Sequence, residues 1–182
     1  LRDRQGRAIS RQLIRLEAGE NGDPMPFSAE LPFEIPAVEQ EALLTLSLLD
    51  PFFRPIALRS ARITLLSGGD AHIEPYAAQE PWVTLTRPEP MDIFTGGQVT
   101  VAGTVTPLTD NPVILELIAD DRRVIGTAQV RVEAPGQAID FETTLPYYYI
   151  KTFSDARLVV RQNMDPYNTP AILDSILIGV AP

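Results

Sequence analysis

One histidine, a scatter of carboxylates and no cysteine are all that this chain offers to acid–base or nucleophilic chemistry. His72 lies in the run DAHIE, near Asp70 and Glu74. Such a set binds a metal or abstracts a proton only when rigid elements hold it in place. The surrounding stretch, Ser67–Glu80 (SGGDAHIEPYAAQE), is small, polar and broken by Gly68, Gly69 and Pro75, so it reads as a linker and not as a scaffold. Asp140 and Glu142 flank Phe141, and in a strand both point away from it. The paired carboxylates of a glycosidase converge across a cleft, whereas these two share one outer, solvated face. Asp120-Asp121 and Asp110-Asn111 sit in turn signals. Oxygen-rich loops of extracellular β-modules do bind calcium, but Asx-turn hydrogen bonding accounts for these residues without an ion. No GxSxG, phosphate-cradling glycine loop or HExxH is present. The lack of cysteine removes disulfides, thiolate nucleophiles, zinc–thiolate sites and iron–sulfur clusters. The sequence therefore points to no enzyme, no catalytic residue, no metal ligand and no cofactor.

Aromatic residues are the better candidates for a contact. PYYYI places Tyr147 and Tyr149 on one face of an extended segment and Tyr148 on the other. Tyrosine suits interfaces because it buries area while keeping a hydrogen-bonding tip; the competing reading is that these rings cap the core at the end of their strand. Phe52 and Phe53 in DPFFRP, and Tyr167 in DPYNTP, follow Asp-Pro turn signals. Their rings either cover the end of a β-sandwich or belong to the end loops that usually bind partners. Phe52, Phe53, Tyr147, Tyr148, Tyr149 and Tyr167 are thus the candidate partner contacts. An alternative of a different class is a carbohydrate or cell-wall binding module that stacks sugars on Tyr147–Tyr149, Trp82 or Tyr167.

The 182 residues, 45% of them hydrophobic, suffice for one large domain or two small ones with a real core. A net charge of −9 argues against nucleic acid and against anionic lipid surfaces. The acidity is even, with 8 basic and 11 acidic residues in 1–78 and 7 and 13 in 79–182, as in a solubility feature and not an acidic tail. No apolar run reaches the roughly 20 residues of a membrane-spanning helix.

The elements that must position these residues are set by an internal repeat. FSAELPFEI from Phe27 matches FETTLPYYY from Phe141 at a spacing of 114, which holds through Ala42/Ala156 and Leu44/Leu158 to Leu46/Val160. One inserted residue then gives 115, at which DPFFRPIALRSARI from Asp50 lies against DPYNTPAILDSILI from Asp165. Upstream, RAISRQLIRLEA from Arg7 matches RVIGTAQVRVEA from Arg123 at 116, and Arg122 stands where the first copy has Gly6. Such matching over turns and apolar positions marks a duplicated module.

The second copy reads as seven short strands: WVTLTRP, QVTVAGTV, VILELIADD, RRVIGTAQVRVEA, AIDFETTLP, ARLVVRQN and AILDSILIGV. Val99, Val101 and Val105 share a face that is interrupted at Gly103, where a bulge or close approach is expected. Leu158 and Val160 face in, and Arg157 and Arg161 face out. No window has a helical period. Seven strands with turns every 8–12 residues fit an immunoglobulin-like sandwich. The first copy has counterparts only for the last four strands, and LRDRQGRAIS corresponds to LIADDRRVIG, a strand–turn–strand joint entered halfway. The expected architecture is all-β: a partial module over 1–66, a linker over 67–80 and a complete module over 81–182. Half a sandwich exposes its inner face and its strand edges. The first module is therefore expected to take strands from an upstream segment, from packing on the second module, or from a partner.

The order of features in 81–182 (LTRPEPMDIFTGG, VTVAGTV, LELIADDRRVIG, FETTLP and a closing pair of strands) resembles the immunoglobulin-like domain of bacterial spore germination proteins and other bacterial envelope proteins, and 1–66 resembles its latter half. The resemblance implies a non-catalytic extracytoplasmic module at the cell surface, on the periplasmic side or secreted. Such a module is a spacer or accessory subunit of a surface or membrane-associated assembly. Its partners would be another protein or adjacent domains of the same chain, with strand pairing at the incomplete module.

Overall fold

A computed structural model describes residues 1–15, 27–70, 72, 82–148, 152–165, 167 and 169–182. Every regular element among them is a strand: β1 (Glu39–Leu49), β2 (Pro55–Leu66), β3 (Val83–Arg87), β4 (Ile93–Phe94), β5 (Gln98–Val105), β6 (Val113–Ile118), β7 (Val124–Val130), β8 (Ile139–Pro146), β9 (Ser154–Met164) and β10 (Thr169–Val180). The fold is all-β, with two sheets. One has seven strands in the order β1-β2-β10-β9-β6-β7, with β4 running parallel to the end of β10; the other is β3-β5-β8.

The seven strands read from the second copy appear as β3 and β5–β10. The period-two pattern explains the packing. Val99, Val101 and Val105 of β5, with Phe141 and Leu145 of β8, meet Leu115 and Leu117 of β6 and Ala156, Leu158 and Val160 of β9 in one core between the sheets. At Gly103 a Cβ would collide with the carbonyl of Thr84, and β3 bulges between Leu85 and Arg87, so the missing side chain is what lets these strands approach. β4 was not anticipated. It is a two-residue bridge inside the Pro-rich turn after β3, too short to carry a periodic signal.

The first copy keeps only part of its expected strand content. β1 and β2 form a hairpin of 11 and 12 residues, the same lengths as β9 and β10. Arg2 bridges Leu43 on one side and Ala8 on the other, extending the large sheet past β1. Residues 27–35, the counterpart of 141–149, form no strand; Phe27 is exposed where Phe141 is buried. The physical reason lies in pairing. β8 gains its ladder from β5 alone, and no strand occupies that place beside 27–35 among the described residues.

Where strands do form, the pairing register follows the sequence offsets. Ala42 pairs Ile63 as Ala156 pairs Ile178, and Leu44 pairs Ala61 as Leu158 pairs Ile176. Arg2 meets Leu43 as Ile118 meets Arg157, and Arg2 meets Ala8 as Ile118 meets Val124.

Candidate functional site: the junction between the two hairpins

One turn geometry recurs three times, and two of its copies carry the same set of aspartate hydrogen bonds in different surroundings. In Asp3–Arg7, Asp50–Arg54 and Ala119–Arg123 the first residue's N–H donates to the carbonyl of the fifth, and the fourth residue's N–H donates back to the carbonyl of the first. The fourth residue takes a left-handed backbone in each: Gly6 (φ 77°), Phe53 (φ 61°) and Arg122 (φ 69°). This is the three-residue hairpin loop that closes with a bulge. Asp3 Oδ1 accepts from the N–H groups of Gln5 (2.9 Å) and Arg7 (2.8 Å), and its Oδ2 accepts from Arg7 Nε (2.7 Å). Asp50 does the same for Phe52, Arg54 and Arg54 Nε at 2.9, 2.9 and 2.7 Å.

The surroundings then diverge. The Arg7 side chain is 78% exposed, whereas that of Arg54 is 2% exposed. Arg54 is buried because the β1–β2 tip docks on the outer face of the second half. There its guanidinium donates to the carbonyls of Asp155 (2.7 Å) and Ile118 (3.3 Å). Arg157 reaches Asp50 Oδ2 from below (3.2 Å) and donates to Ser175 Oγ (3.1 Å). Arg157 thus lies on the face opposite Leu158, as its alternation requires, but that face is covered at this point by the hairpin tip. Burial alone would raise the Asp50 pKa; the hydrogen bonds and charges of Arg54 and Arg157 outweigh it and hold the carboxyl below its ordinary value.

The opposite tip docks reciprocally. Tyr167, which the repeat aligns with Phe52, is buried, and its hydroxyl donates to Glu41 Oε1 (2.6 Å) while Arg4 donates to Glu41 Oε2 (2.7 Å). Arg4 first, then the Tyr167 hydroxyl, draws the Glu41 pKa down to about 2. Arg62 also donates to the Asp165 carbonyl (3.0 Å).

Between the tips, β2 pairs β10 through Leu58↔Leu173, flanked by Arg59↔Ile172 and Ala57↔Asp174. The spacing of 115 maps each of these pairs onto the other and Leu58 onto Leu173. Ser60 Oγ donates to the Pro170 carbonyl (3.1 Å), and its counterpart Ser175 Oγ lies 3.1 Å from the Pro55 carbonyl and 2.7 Å from that of Ile56. These exchanges define a local two-fold axis between Leu58 and Leu173, the geometry of an isologous interface inside one chain. Leu58 packs with Ile118, Val159 and Leu173 on the outer face, and Arg59 pairs with Asp174 (2.8 Å) on the inner one.

The other candidate residues are dispersed. Tyr147 is buried and donates towards the carbonyls of Ala181 (2.8 Å) and Phe94 (3.1 Å), closing the end of the sandwich. Tyr148 is exposed, Tyr149 lies outside the described residues, and Trp82 is half-buried against the core. Tyr147 and Tyr167 thus turn their rings inward. Phe52 and Phe53 are exposed at the β1–β2 tip, with the Arg54 guanidinium 5.2 Å from the Phe52 ring centre. His72 and Asp70 are exposed, and Glu74 lies outside the described residues. Asp140 and Glu142 are exposed together on the outer face of the small sheet, where Asp140 accepts from Thr104 (2.7 Å). Asp121 accepts from Arg123, and Asn111 donates to Asp165. No group of three His, Asp or Glu converges among the described residues.

Sequence reasoning missed Gln162. It is fully buried, accepts from the N–H groups of Leu108 (2.7 Å) and Thr109 (3.3 Å), and donates to the carbonyls of Thr109 (2.9 Å) and Asn111 (2.6 Å). The one available signal was its parity with Leu158 and Val160, which puts it on the core face. Neither the models of known protein families nor the curated proteins match this chain.

Proposed function

We propose that the chain is a non-catalytic structural module: tandem immunoglobulin-like units, the first incomplete, acting as a rigid spacer or accessory subunit in an extracytoplasmic bacterial assembly. The reading of family, compartment and partner class rests on the resemblance carried by residues 81–182. The observation that supports a mechanical role is the reciprocal junction. A continuous sheet, two interlocked tips and a buried Arg54–Asp50–Arg157 cluster fix the orientation of whatever each half carries. The charged groups there are spent on one another: both oxygens of Asp50 and both of Glu41 are occupied by donors within the chain.

Because the chain has no cysteine, two introduced thiols report only on themselves. Ser47 and Gln129 are exposed and lie at opposite ends of one row across the sheet, Ser47–Leu58–Leu173–Arg161–Ile114–Gln129. Five strand spacings of about 4.8 Å put their backbones about 24 Å apart. Spin labels on Ser47→Cys and Gln129→Cys are expected to give one narrow distance peak in a pulsed dipolar measurement. A broad or two-peaked distribution would reveal a hinge and defeat the spacer reading.

A further inference from the structure

We propose that one end of the sandwich is a docking surface for a segment of a partner protein in which aliphatic or aromatic residues stand between lysines and arginines. This deepens the accessory-subunit reading and rests on it. The surface lies on the outer face of the large sheet, where β4 and β10 end and β9 begins. Gly179 is its floor: a Cβ there would lie 2.6 Å from the Phe153 ring and 3.1 Å from the Ile93 side chain, so the glycine lets both lie over β10. Met91 is fixed beside them, its N–H donating to the Leu177 carbonyl (2.8 Å). The β1–β2 tip abuts from the other side. Asp155, opposite Gly179 in the ladder and two residues from Phe153, offers its carbonyl to Arg54, whose guanidinium lies 5.2 Å from the Phe52 ring centre. Phe52, Phe53, Met91, Ile93 and Phe153 are all exposed.

Two independent observations carry the inference. The first is backbone strain. Among the described residues three besides glycine take a left-handed backbone, and two of them are Phe53 (φ 61°, 72% exposed) and Met91 (φ 73°, 65% exposed). A large side chain disfavours that conformation, and glycine holds the same turn position at Gly6. Packing inside the fold does not offset the strain at such exposed side chains, so a contact outside the fold is its expected use. The second is charge. Glu89 and Asp92 stand either side of Met91, and Asp155 lies beside Phe153. With Asp121 and Arg123 paired to each other (2.6 Å), the exposed carboxylates of Glu89, Asp92, Asp120 and Asp155 outnumber the exposed guanidiniums of Arg87 and Arg122. A second copy of this chain, at net charge −9, is repelled from such a rim, and so is an anionic lipid surface. A cationic segment with apolar side chains is drawn to it.

A display selection of random short peptides on the intact chain is the test. Enriched peptides are expected to carry Lys or Arg between aliphatic or aromatic residues. A synthetic copy of one, followed by fluorescence anisotropy, should bind at least about tenfold more weakly to Phe153→Ser and to Phe53→Gly, and more weakly to the unaltered chain as salt rises. If Phe153→Ser does not fold, Phe53→Gly still decides, because it relieves the left-handed backbone. Leu46→Ser, on the first hairpin, should leave binding unchanged, and a loss there would put the site elsewhere and overturn the proposal. Enriched peptides with no basic bias, binding that survives Phe53→Gly, or no enrichment also overturn it. So does a dimer of the chain that Phe153→Ser dissociates, or flotation with zwitterionic vesicles that the same variant abolishes, since a second copy or a membrane would then be the occupant. A narrow spin-label distance combined with no enrichment removes this proposal and leaves the spacer reading standing.

Discussion

Replacing Asp50 by alanine should be among the most damaging single changes in this protein, and the structure supplies its own control. Asp50→Ala removes the anion shared by Arg54 and Arg157, strands two guanidinium groups under the hairpin tip and frees the N–H groups of Phe52 and Arg54. Truncating one partner of a buried ion pair costs about 3–5 kcal/mol, because the remaining charge stays desolvated. Asp3→Ala breaks the same turn, with the same set of bonds at nearly the same distances, but releases Arg7 into water. It should cost less than half as much. The difference between the two variants reports chiefly the burial of the cations, since both lose the same turn hydrogen bonds.

Urea unfolding followed by far-UV circular dichroism measures both losses, and Trp82, the only tryptophan, half-buried against the core just before β3, gives a second probe. Asp50→Asn should fall between the two variants, because its amide oxygen still accepts from the turn N–H groups. Replacing the whole cluster, Asp50→Ala with Arg54→Met and Arg157→Met, should recover more than half of the single-variant loss by removing the stranded charges. Equal losses for Asp50→Ala and Asp3→Ala, or no recovery in the triple variant, would show that the cluster does not hold the tip in place.

Four further outcomes are expected. Gln162→Leu leaves four loop groups without their partner and should cost about 2–4 kcal/mol, with amide exchange accelerating at 108–111. Gly103→Ala forces β3 away from β5 and should cost about 1–3 kcal/mol in the same urea assay. Phe53→Gly relieves a left-handed backbone at a residue whose ring is 72% exposed, and should stabilise by about 1 kcal/mol; a loss would mean that the ring packs on something. Glu41 has a folded pKa of about 2 against an ordinary 4.5, so its contribution is complete above pH 4.5 and disappears as pH falls towards 2; thermal melts should show Glu41→Gln losing that part of the acid sensitivity.

Much of the second half was legible because its strands satisfy the period-two rule on their own: β5 alternates cleanly, and β9 separates Leu158 and Val160 from Arg157 and Arg161. The fate of the outward residues was not legible. Alternation assigns Arg157 a face, but what covers that face comes from Asp50 and Arg54, which are remote in sequence. The burial of two aromatic candidates was not legible for a similar reason. Tyr147 and Tyr167 each carry a hydroxyl that finds an acceptor inside the chain, at Ala181 and Phe94 for one and at Glu41 for the other. Only Phe52, Phe53 and Tyr148 are left at the surface among the described candidates.

Matching sequence does not bring matching structure everywhere along the repeat. FSAELPFEI and FETTLPYYY share Phe, Leu and Pro in step, yet Phe27 and Phe141 occupy unlike environments. A strand's hydrogen bonds belong to its neighbour as much as to itself, so aligned positions are a strand beside β5 and an irregular segment without such a neighbour. Ser60 and Ser175 match as small polar residues, each following a charged one, and carry little sequence signal. They nevertheless make reciprocal bonds across the axis, because β2 and β10 are each the other's neighbour and the offset is conserved on both sides. Equivalent residues therefore adopt equivalent structure only where the partner strand is also duplicated within the chain. On that logic the irregular backbone at Phe27 follows from its having no pairing strand among the described residues.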